Sequence, residues 1–466
     1  MAEPVNDDNR PLCVDLDGTL IAGDTLAECV SRFMRQHPLM IWRLPVWLAA
    51  GVAPFKRQLA ANAAPDVSVF VYRPQVMAFV RAQHAAGRRL VLATASDQQM
   101  AERVAEHLGL FEDIVASNGK RNFKGTAKLT ALEQRYGRGG FDYIGDGRAD
   151  LPVWTSAREA YVVDAEHGAM RRAAERVCKP REVFDVSERR LPLVIRSLRP
   201  HQWMKNLLIF LPLLLAHRVG AGAMASWLIA CAAFVAFCAA ASAVYVFNDF
   251  LDLEADRRHP LKHDRPFASG RLPIQKVLPL TVIPLGIALV GAALTASLDF
   301  LGLLAIYLLS TTAYSLFFKR VALLDVFVLA GLYTLRILAG GAAVDVTISP
   351  WLLAMSMFLF LSLAFMKRYT ELRDAGQATA TDDEQRLNGR GYGVADIDTI
   401  QTLGPTAGYL SVLVFCLYIS SDKAQQLYHS PWLLWLIAPV LHRWMTYVWF
   451  NASRRGMQHD PVALAH

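Results

Sequence analysis

From Leu191 onward the chain carries apolar segments about as long as a bilayer core is thick, and few folds are open to a chain with several of these. Backbone polar groups in hydrocarbon must be satisfied within the segment that carries them, so such stretches cross as helices and pack as a bundle. Eight candidate spans can be drawn, near 192–217, 223–248, 274–297, 299–318, 321–343, 350–366, 403–420 and 431–450, each near the roughly 20 residues that a crossing requires. The text from Met1 to about Ser187 is different: charges recur every few residues and apolar runs are short. The expected organisation is a soluble domain over 1–187 and a membrane domain over 188–466, with the boundary in "KPREVFDVSERR".

The loops between spans sort by charge. Arg189, Arg190, Arg196 and Arg199, the Arg257–Arg271 run, Lys319/Arg320, Lys367/Arg368 and Arg454/Arg455 fall on one side, and "HRVGAGAM", "SLD", "AVDVTIS" and "SDKAQQLYHSP" fall on the other. The positive-inside rule then predicts an inner-membrane protein with both termini and the soluble domain cytoplasmic. No basic segment followed by an apolar one opens the chain, so no cleaved signal peptide is expected. Six cysteines show no C-x-x-C and no metal-site spacing with histidine, which argues against a disulfide framework or a zinc site. A net charge of +7 over 466 residues is modest, and nucleic acid is not an expected partner. The single long polar loop of the membrane half is "DAGQATATDDEQRLNGRGYG".

In the soluble half, "PLCVDLD", "RRLVLATAS", "EDIVAS", "FDYIGD" and "AYVVDA" read as short apolar strands separated by helical stretches. This alternation predicts an open, mainly parallel α/β sheet whose ligands sit at the carboxyl ends of the strands. Three of the ends are acidic or hydroxylic. "DLDGTL" offers Asp15 and Asp17, one able to attack phosphorus and the other to shuttle a proton. "GDGRAD" offers Asp146 and Asp150 as hard oxygen ligands for a cation. Thr94 in "VLAT" and Lys124 in "FKGTAK" supply a hydroxyl and an ammonium for phosphoryl oxygens. Lys128 competes with Lys124, because the two are four apart and one helical turn could present either.

These four pieces, in this order, resemble the haloacid dehalogenase (HAD) superfamily over about residues 10–180. The resemblance implies a Rossmann-like α/β fold with Asp15 as nucleophile, Asp17 as general acid/base, Thr94 and Lys124 on the phosphate, and Asp15, Asp17, Asp146 and Asp150 around Mg²⁺. It also implies a small helical cap near 26–72. Within that region "HPLMIWRLPVWLAAGVAPFKRQLA" (37–60) is too short and too broken by Pro45 and Pro54 to span. Two readings stay open for it: a cap that buries its own tryptophans, or an interfacial patch that brings the phosphatase to a lipid-borne phosphate.

The apolar run ending at Phe247 is followed at once by "NDFLDLEADRRHPLKHDRPFASG". If the helix continues, Asp249, Asp252 and Asp256 share a face at spacings of three and four, with Asn248 beside them. Like charges so placed repel by a few tenths of a kcal/mol per pair in water, and by more near lipid, so a divalent cation is the expected remedy. Arg257, Arg258, His259, Lys262 and Arg265 then provide donors for phosphates held by that cation. The competing reading is a juxtamembrane charge cluster that only orients the helix.

"NDxxDxxxD" followed by "HPLKHDRPFASG" is similar to the first signature of the UbiA superfamily of intramembrane prenyltransferases, and "RPHQWMKNLLIFLPLL" and "YSLFFKRVALLDV" extend the likeness over about 190–455. It implies an all-α bundle of about 8–9 spans. Where ordinary members carry a second aspartate-rich stretch, this chain reads "FMKRYTELRD", with Lys367, Arg368 and Arg373. That departure, with Arg336, resembles the branch that moves phosphoribose onto a polyprenyl phosphate. On this resemblance the partners are a polyprenyl phosphate lipid, phosphoribosyl diphosphate and the bilayer. The catalytic face is Asp249, Asp252 and Asp256, with Asn248 among the Mg²⁺ ligands. Lys205, Lys262, Arg265, Lys319, Lys367, Arg368 and Arg373 would bind phosphates. Two alternatives stay open: transfer of a polyprenyl group from its diphosphate to an aromatic acceptor beside an independent phosphatase, and a non-catalytic lipid-phosphate carrier.

Overall fold

The structure is a computed structural model that describes residues 10–218, 221–378 and 391–454. Its chain divides into two compact units, Met1–Leu198 with Tyr245–Leu280, and Arg199–Val244 with Thr281–His466.

The first unit is built on six parallel strands: β1 (Leu12–Val14), β2 (Leu90–Asp97), β3 (Asp113–Ser117), β4 (Asp142–Gly145), β5 (Ala160–Asp164) and β6 (Glu182–Asp185), in the order β3-β2-β1-β4-β5-β6. Strand residues point alternately to opposite faces, and the core follows that rule. Leu12, Val14 and Leu92 join one buried cluster, while Cys13, Val91 and Ala93 join the other. All five strands expected from the sequence are present. The sixth lies inside the expected boundary segment, where "EVFD" is polar enough to hide an edge strand half exposed to solvent.

Between β1 and β2 stand α1 (Thr25–Gln36), α2 (Arg43–Ala49), α3 (Val52–Ala63) and α4 (Pro74–Ala85). Trp47 packs on Phe33, with ring centroids 5.1 Å apart, but Leu39, Trp42, Val46 and Leu48 are exposed. The 37–60 segment is helical, yet of its two tryptophans Trp47 is half-buried and Trp42 is exposed. After β2 come α5 (Gln98–Leu108) and, following β3, α6 (Thr126–Tyr136).

The second unit is helical. Its core gathers Val326, Ile337, Phe360, Phe365, Tyr369 and Trp449, and the helix Pro350–Ala378 packs against Leu324–Ala343 and Ile397–Ile419. Among the described residues six helices are long and apolar enough to cross a membrane: Met224–Leu251, Ile274–Thr295, Leu298–Leu316, Leu324–Ala343, Pro350–Asp374 and Val394–Ile419. Two of the eight expected spans are not continuous helices. The first breaks into Arg190–Leu198, a 3₁₀ run Pro200–Phe210 and Leu211–Leu215, with Arg199 at positive φ and prolines at 200 and 212 removing amide donors. The last begins as a 3₁₀ turn, Pro431–Leu436, and continues as Ile437–Arg454, a helix carrying His442, Arg443 and Arg454. Most of the long polar loop expected after the helix Pro350–Ala378 lies outside the described residues.

Candidate active sites

In the order β3-β2-β1-β4 the chain reverses direction of winding between β1 and β4, the place where open parallel sheets bind ligands. Asp15 leaves β1 with its amide donating to Ile144 O on β4 at 3.0 Å. Asp146 leaves β4, and the turn Arg148–Asp150 brings Asp150 back beside it. One carboxylate oxygen from each of Asp15, Asp146 and Asp150 lies within 4.8 Å of the others. Gly18 permits this approach: its φ is +77°, and a Cβ there would run into the Asp146 carboxylate.

Lys128, in the first turn of α6, lies 3.1 Å from Asp15 and 3.1 Å from Asp150, with Tyr143 donating to Asp150 Oδ1 at 2.7 Å. Of the two lysines four apart, Lys128 is thus the one that meets the carboxylates, while Lys124 precedes the helix and is exposed. The helix start at Thr126, after Gly125 at positive φ, decides between them. Burial pushes Asp15 up to about 7 against the pull of Lys128, and Asp146 rises well above the usual carboxylate range for the same reason, helped by Asp150 and Asp15. For Lys128 burial works downward, but Asp15 and Asp150 outweigh it and the ammonium is held above its ordinary value.

Asp17 was expected among the metal ligands as well as in acid/base work, and its carboxylate turns away from the three others. It accepts from Thr25 N at 2.7 Å, from Thr25 Oγ1 at 3.1 Å and from Ser96 Oγ. Burial raises Asp17 to about 6, with Asp24 adding to the rise. Thr94 is fully buried, and its hydroxyl accepts from Ser96 N at 3.0 Å. Ser96 was not singled out in the sequence, although a residue two further along a strand shares the face of Thr94.

The donor set fits a hard divalent ion: three carboxylates converge, two of them buried, with Asp15 and Asp146 shifted up by burial and by the neighbouring carboxylates. Asp150 is already saturated by Lys128, Tyr143 and Gly147 N, which leaves Asp15 and Asp146 as the better donors.

The second acidic segment also belongs to the first unit. The helix Met224–Leu251 ends just before Asp252, which caps a further short helix, Leu253–Arg258. Arg265 reaches Asp249 at 3.1 Å and Asp256 at 2.6 Å, whereas Asp252 meets Arg35 of α1 at 3.1 Å. The three aspartates are therefore divided among arginines rather than gathered around a single point. Burial raises Asp256 to about 6, opposed by Arg265. Asn248 Oδ1 is buried with no hydrogen-bond partner. Such an atom costs about 1–3 kcal/mol, which a cation bound at Asn248 would offset once the aspartates beside it exchange Arg265 and Arg35 for that ion. Lys262, predicted alongside Arg265, is half-buried in the turn that follows.

Along α1, Glu28, Arg32 and Arg35 fall at helical spacing on one face. Glu28 pairs with Arg257 at 2.6 Å, with both side chains buried, and Arg32 pairs with Glu254 at 2.5 Å. Ser31 donates to Phe250 O at 2.5 Å. The same helix begins at Thr25, whose amide and hydroxyl hold Asp17.

In the second unit, Arg336 donates to Asn206 Oδ1 at 2.8 Å and to Tyr307 OH at 3.2 Å, and both Arg336 and Lys205 stand over the Tyr333 ring. Arg368 is fully buried, with Asp325 at 3.1 Å and Glu371 as a second partner. Tyr392 donates to Asp325 at 2.5 Å. Lys319 and Lys367 are half-buried. Arg373 takes a different task from the one expected: it donates to the carbonyls of Ala452 and Ser453 at 2.8 and 2.6 Å, at the end of the last helix, where a cation meets the negative end of the helix dipole.

Residues 209–464 match the model of the UbiA prenyltransferase family, and residues 12–154 match that of the haloacid dehalogenase-like hydrolases. The chain belongs to the UbiA prenyltransferase family, carries an HAD-like domain at its N-terminal side, and is an integral membrane protein. It is 34% identical over 98% of its length to an uncharacterized protein, y4nM, of Sinorhizobium fredii, covering 88% of that relative. Over 50% of its length it is 35% identical to the decaprenyl-phosphate phosphoribosyltransferase of Mycolicibacterium smegmatis, covering 72% of that protein. A UbiA homolog from Archaeoglobus fulgidus, solved with GPP and Mg²⁺, aligns over 57% of this chain and 90% of its own, at 15% identity and a TM-score of 0.45.

Proposed function

We propose that the chain is a bifunctional membrane enzyme that moves 5-phosphoribose from phosphoribosyl diphosphate to a polyprenyl phosphate and then removes the 5-phosphate, giving polyprenyl-phosphoryl ribose. The observation that carries this reading is Lys367 and Arg368 in the place of a second aspartate-rich motif, with Arg368 anchored by Asp325 and Glu371 and its Nη2 buried without a hydrogen-bond partner. Relatives named for this transfer support it. A donor with a diphosphate at one end and a phosphomonoester at the other needs more cation than a prenyl diphosphate does.

In the transfer, an oxygen of the lipid phosphate forms a bond to the ribose anomeric carbon as the bond to diphosphate breaks, and pyrophosphate leaves. The nucleophile is already an anion, so positioning and charge neutralisation carry the rate. Asn248, Asp249, Asp252 and Asp256 would hold Mg²⁺, which supplies charge for the leaving diphosphate. Lys262 and Arg265 flank that diphosphate, and Lys205, Lys319, Lys367 and Arg368 take the remaining phosphates.

In the second reaction Asp15 attacks phosphorus, and the bond to the ribose 5-oxygen breaks as Asp17 gives that oxygen its proton. Water then releases inorganic phosphate from the aspartyl-phosphate. A carboxyl raised to about 6 by burial is suited to deliver a proton near neutral pH. Lys128 and Thr94 steady the phosphoryl oxygens, and Mg²⁺ held by Asp15 and Asp146 would offset their charge. The charge of the loops supports a cytoplasmic side for both reactions, and fusion raises the effective concentration of a product that stays in the membrane.

Two variants separate the reactions. Asp15→Asn is expected to abolish phosphate release and leave lipid transfer within about threefold of wild type, and Asp252→Ala is expected to cut transfer by about 100-fold or more while hydrolysis of p-nitrophenyl phosphate persists. Loss of both activities in the folded Asp15→Asn protein contradicts this division.

A further inference from the structure

A cavity of about 800 Å³ reaches Asp146, one of the HAD-like carboxylates, and part of its wall comes from the segment that follows the aspartate-rich helix. Gly18 and Asp146 line it on one side; Gly270, Arg271, Gln275 and Lys276 line it on another. Asp146 belongs to the carboxylate trio with Asp15, so the cavity leads to the group that handles phosphorus. Gln275 and Lys276 belong to the first turn of Ile274–Thr295, one of the six helices able to cross a membrane. The approach of the two walls is close: Gly270 has φ +69°, and a Cβ there would come within 2.7 Å of Ala22 Cβ.

The lining carries five bases and three acids. Arg271 is paired with Glu188 at 2.6 Å, Arg73 donates to Gly18 O at 2.9 Å, and Arg190 donates to Ala165 O at 2.9 Å. Arg148 and Lys276, both exposed, make no such contact with the acids of the lining. Binding cavities for compact ligands run to roughly 300–1,000 Å³, so this one holds more than a phosphoryl group and has room for a sugar with a second anion beyond it.

We propose that the cavity is a binding site for a lipid-linked sugar phosphate. The phosphomonoester sits at Asp15 and Asp146, the sugar fills the cavity, and the phosphodiester that joins it to lipid lies at Arg148 and Lys276, with the apolar tail leaving toward the start of Ile274–Thr295. This rests on the phosphatase reading above and adds to it the residues that recognise the lipid side of the substrate: a soluble sugar phosphate has neither the second anion nor the tail.

The test compares two substrates on the same full-length protein in detergent, a short-chain prenyl-phosphoryl ribose 5-phosphate and free ribose 5-phosphate. Wild type is expected to favour the lipid by at least tenfold in kcat/KM, and the double variant Arg148→Ala, Lys276→Glu to reduce that ratio at least tenfold. Because the ratio is taken within one preparation, a partly inactive sample leaves it unchanged. A wild-type ratio near one, or a ratio that the double variant leaves unaltered, overturns the proposal while the phosphatase reading stands. Hydrolysis of p-nitrophenyl phosphate with neither ribose compound turned over overturns both.

Discussion

Lys128 reaches two carboxylates from a site only 2% exposed, and removing one partner of such a group leaves the others buried and uncompensated. Lys128→Met is expected to lower phosphatase kcat by about 100-fold or more, and Lys124→Met to change it by less than about threefold; equal effects in a p-nitrophenyl phosphate assay would contradict the geometry. The carboxylates also set a pH dependence. Asp15 and Asp17 stand at about 7 and about 6 in the fold, against roughly 3.9 in an unfolded chain. Between these limits the folded state holds protons that the unfolded state has lost, so stability without a divalent ion falls as pH rises through about 4 to 7 and levels off above. In EDTA, Tm is expected to drop across this window, and the gain from Mg²⁺ to grow with pH; a Tm that is flat or rising in EDTA would refute it. At this scale the acidic motifs were legible because their residue types sit at strand ends. The choice between Lys124 and Lys128 was not, since it depends on where a helix begins, and Ser96 was hidden behind the more obvious Thr94.

The helix α1 is where elements distant in sequence are tied together. Thr25 at its start serves Asp17, while Glu28, Arg32 and Arg35 meet Arg257, Glu254 and Asp252. Arg32 and Arg35 are part-exposed, and pairs of that kind contribute at most ~1 kcal/mol. The buried Glu28–Arg257 pair differs: Glu28→Ala leaves a guanidinium that is 7% exposed without its carboxylate, holding the Ala268 carbonyl alone, and the expected loss is about 3 kcal/mol. Thermal unfolding should show a fall of several degrees for Glu28→Ala and little change for Arg32→Ala; equal shifts would contradict the difference in burial. Nothing in the sequence announces these pairs, because partners more than 200 positions apart leave no periodic signal. The strands and the long apolar helices were legible for the opposite reason, since period 2 and unbroken apolar length are local. The broken spans at 192–217 and 431–450 escaped because hydropathy counts apolar residues and ignores what prolines do to a helix.

At the scale of the whole molecule, the chain joins an HAD-like domain to a UbiA-family membrane domain, and Tyr245–Leu280, with the first aspartate-rich motif, groups with the HAD-like domain. The order of families could be read from motifs at fixed spacing, whereas the grouping of that motif depends on the contacts of α1. The central claim is that the two domains act in succession on one lipid. The measurement that tests it uses purified Asp15→Asn protein with Mg²⁺, phosphoribosyl diphosphate and a polyprenyl phosphate, with the lipid products weighed by mass spectrometry. The account predicts a lipid heavier by one phosphoribosyl unit, which loses one phosphate when wild-type protein is added. No new lipid, in a preparation that does join a polyprenyl diphosphate to an aromatic acid, would contradict it.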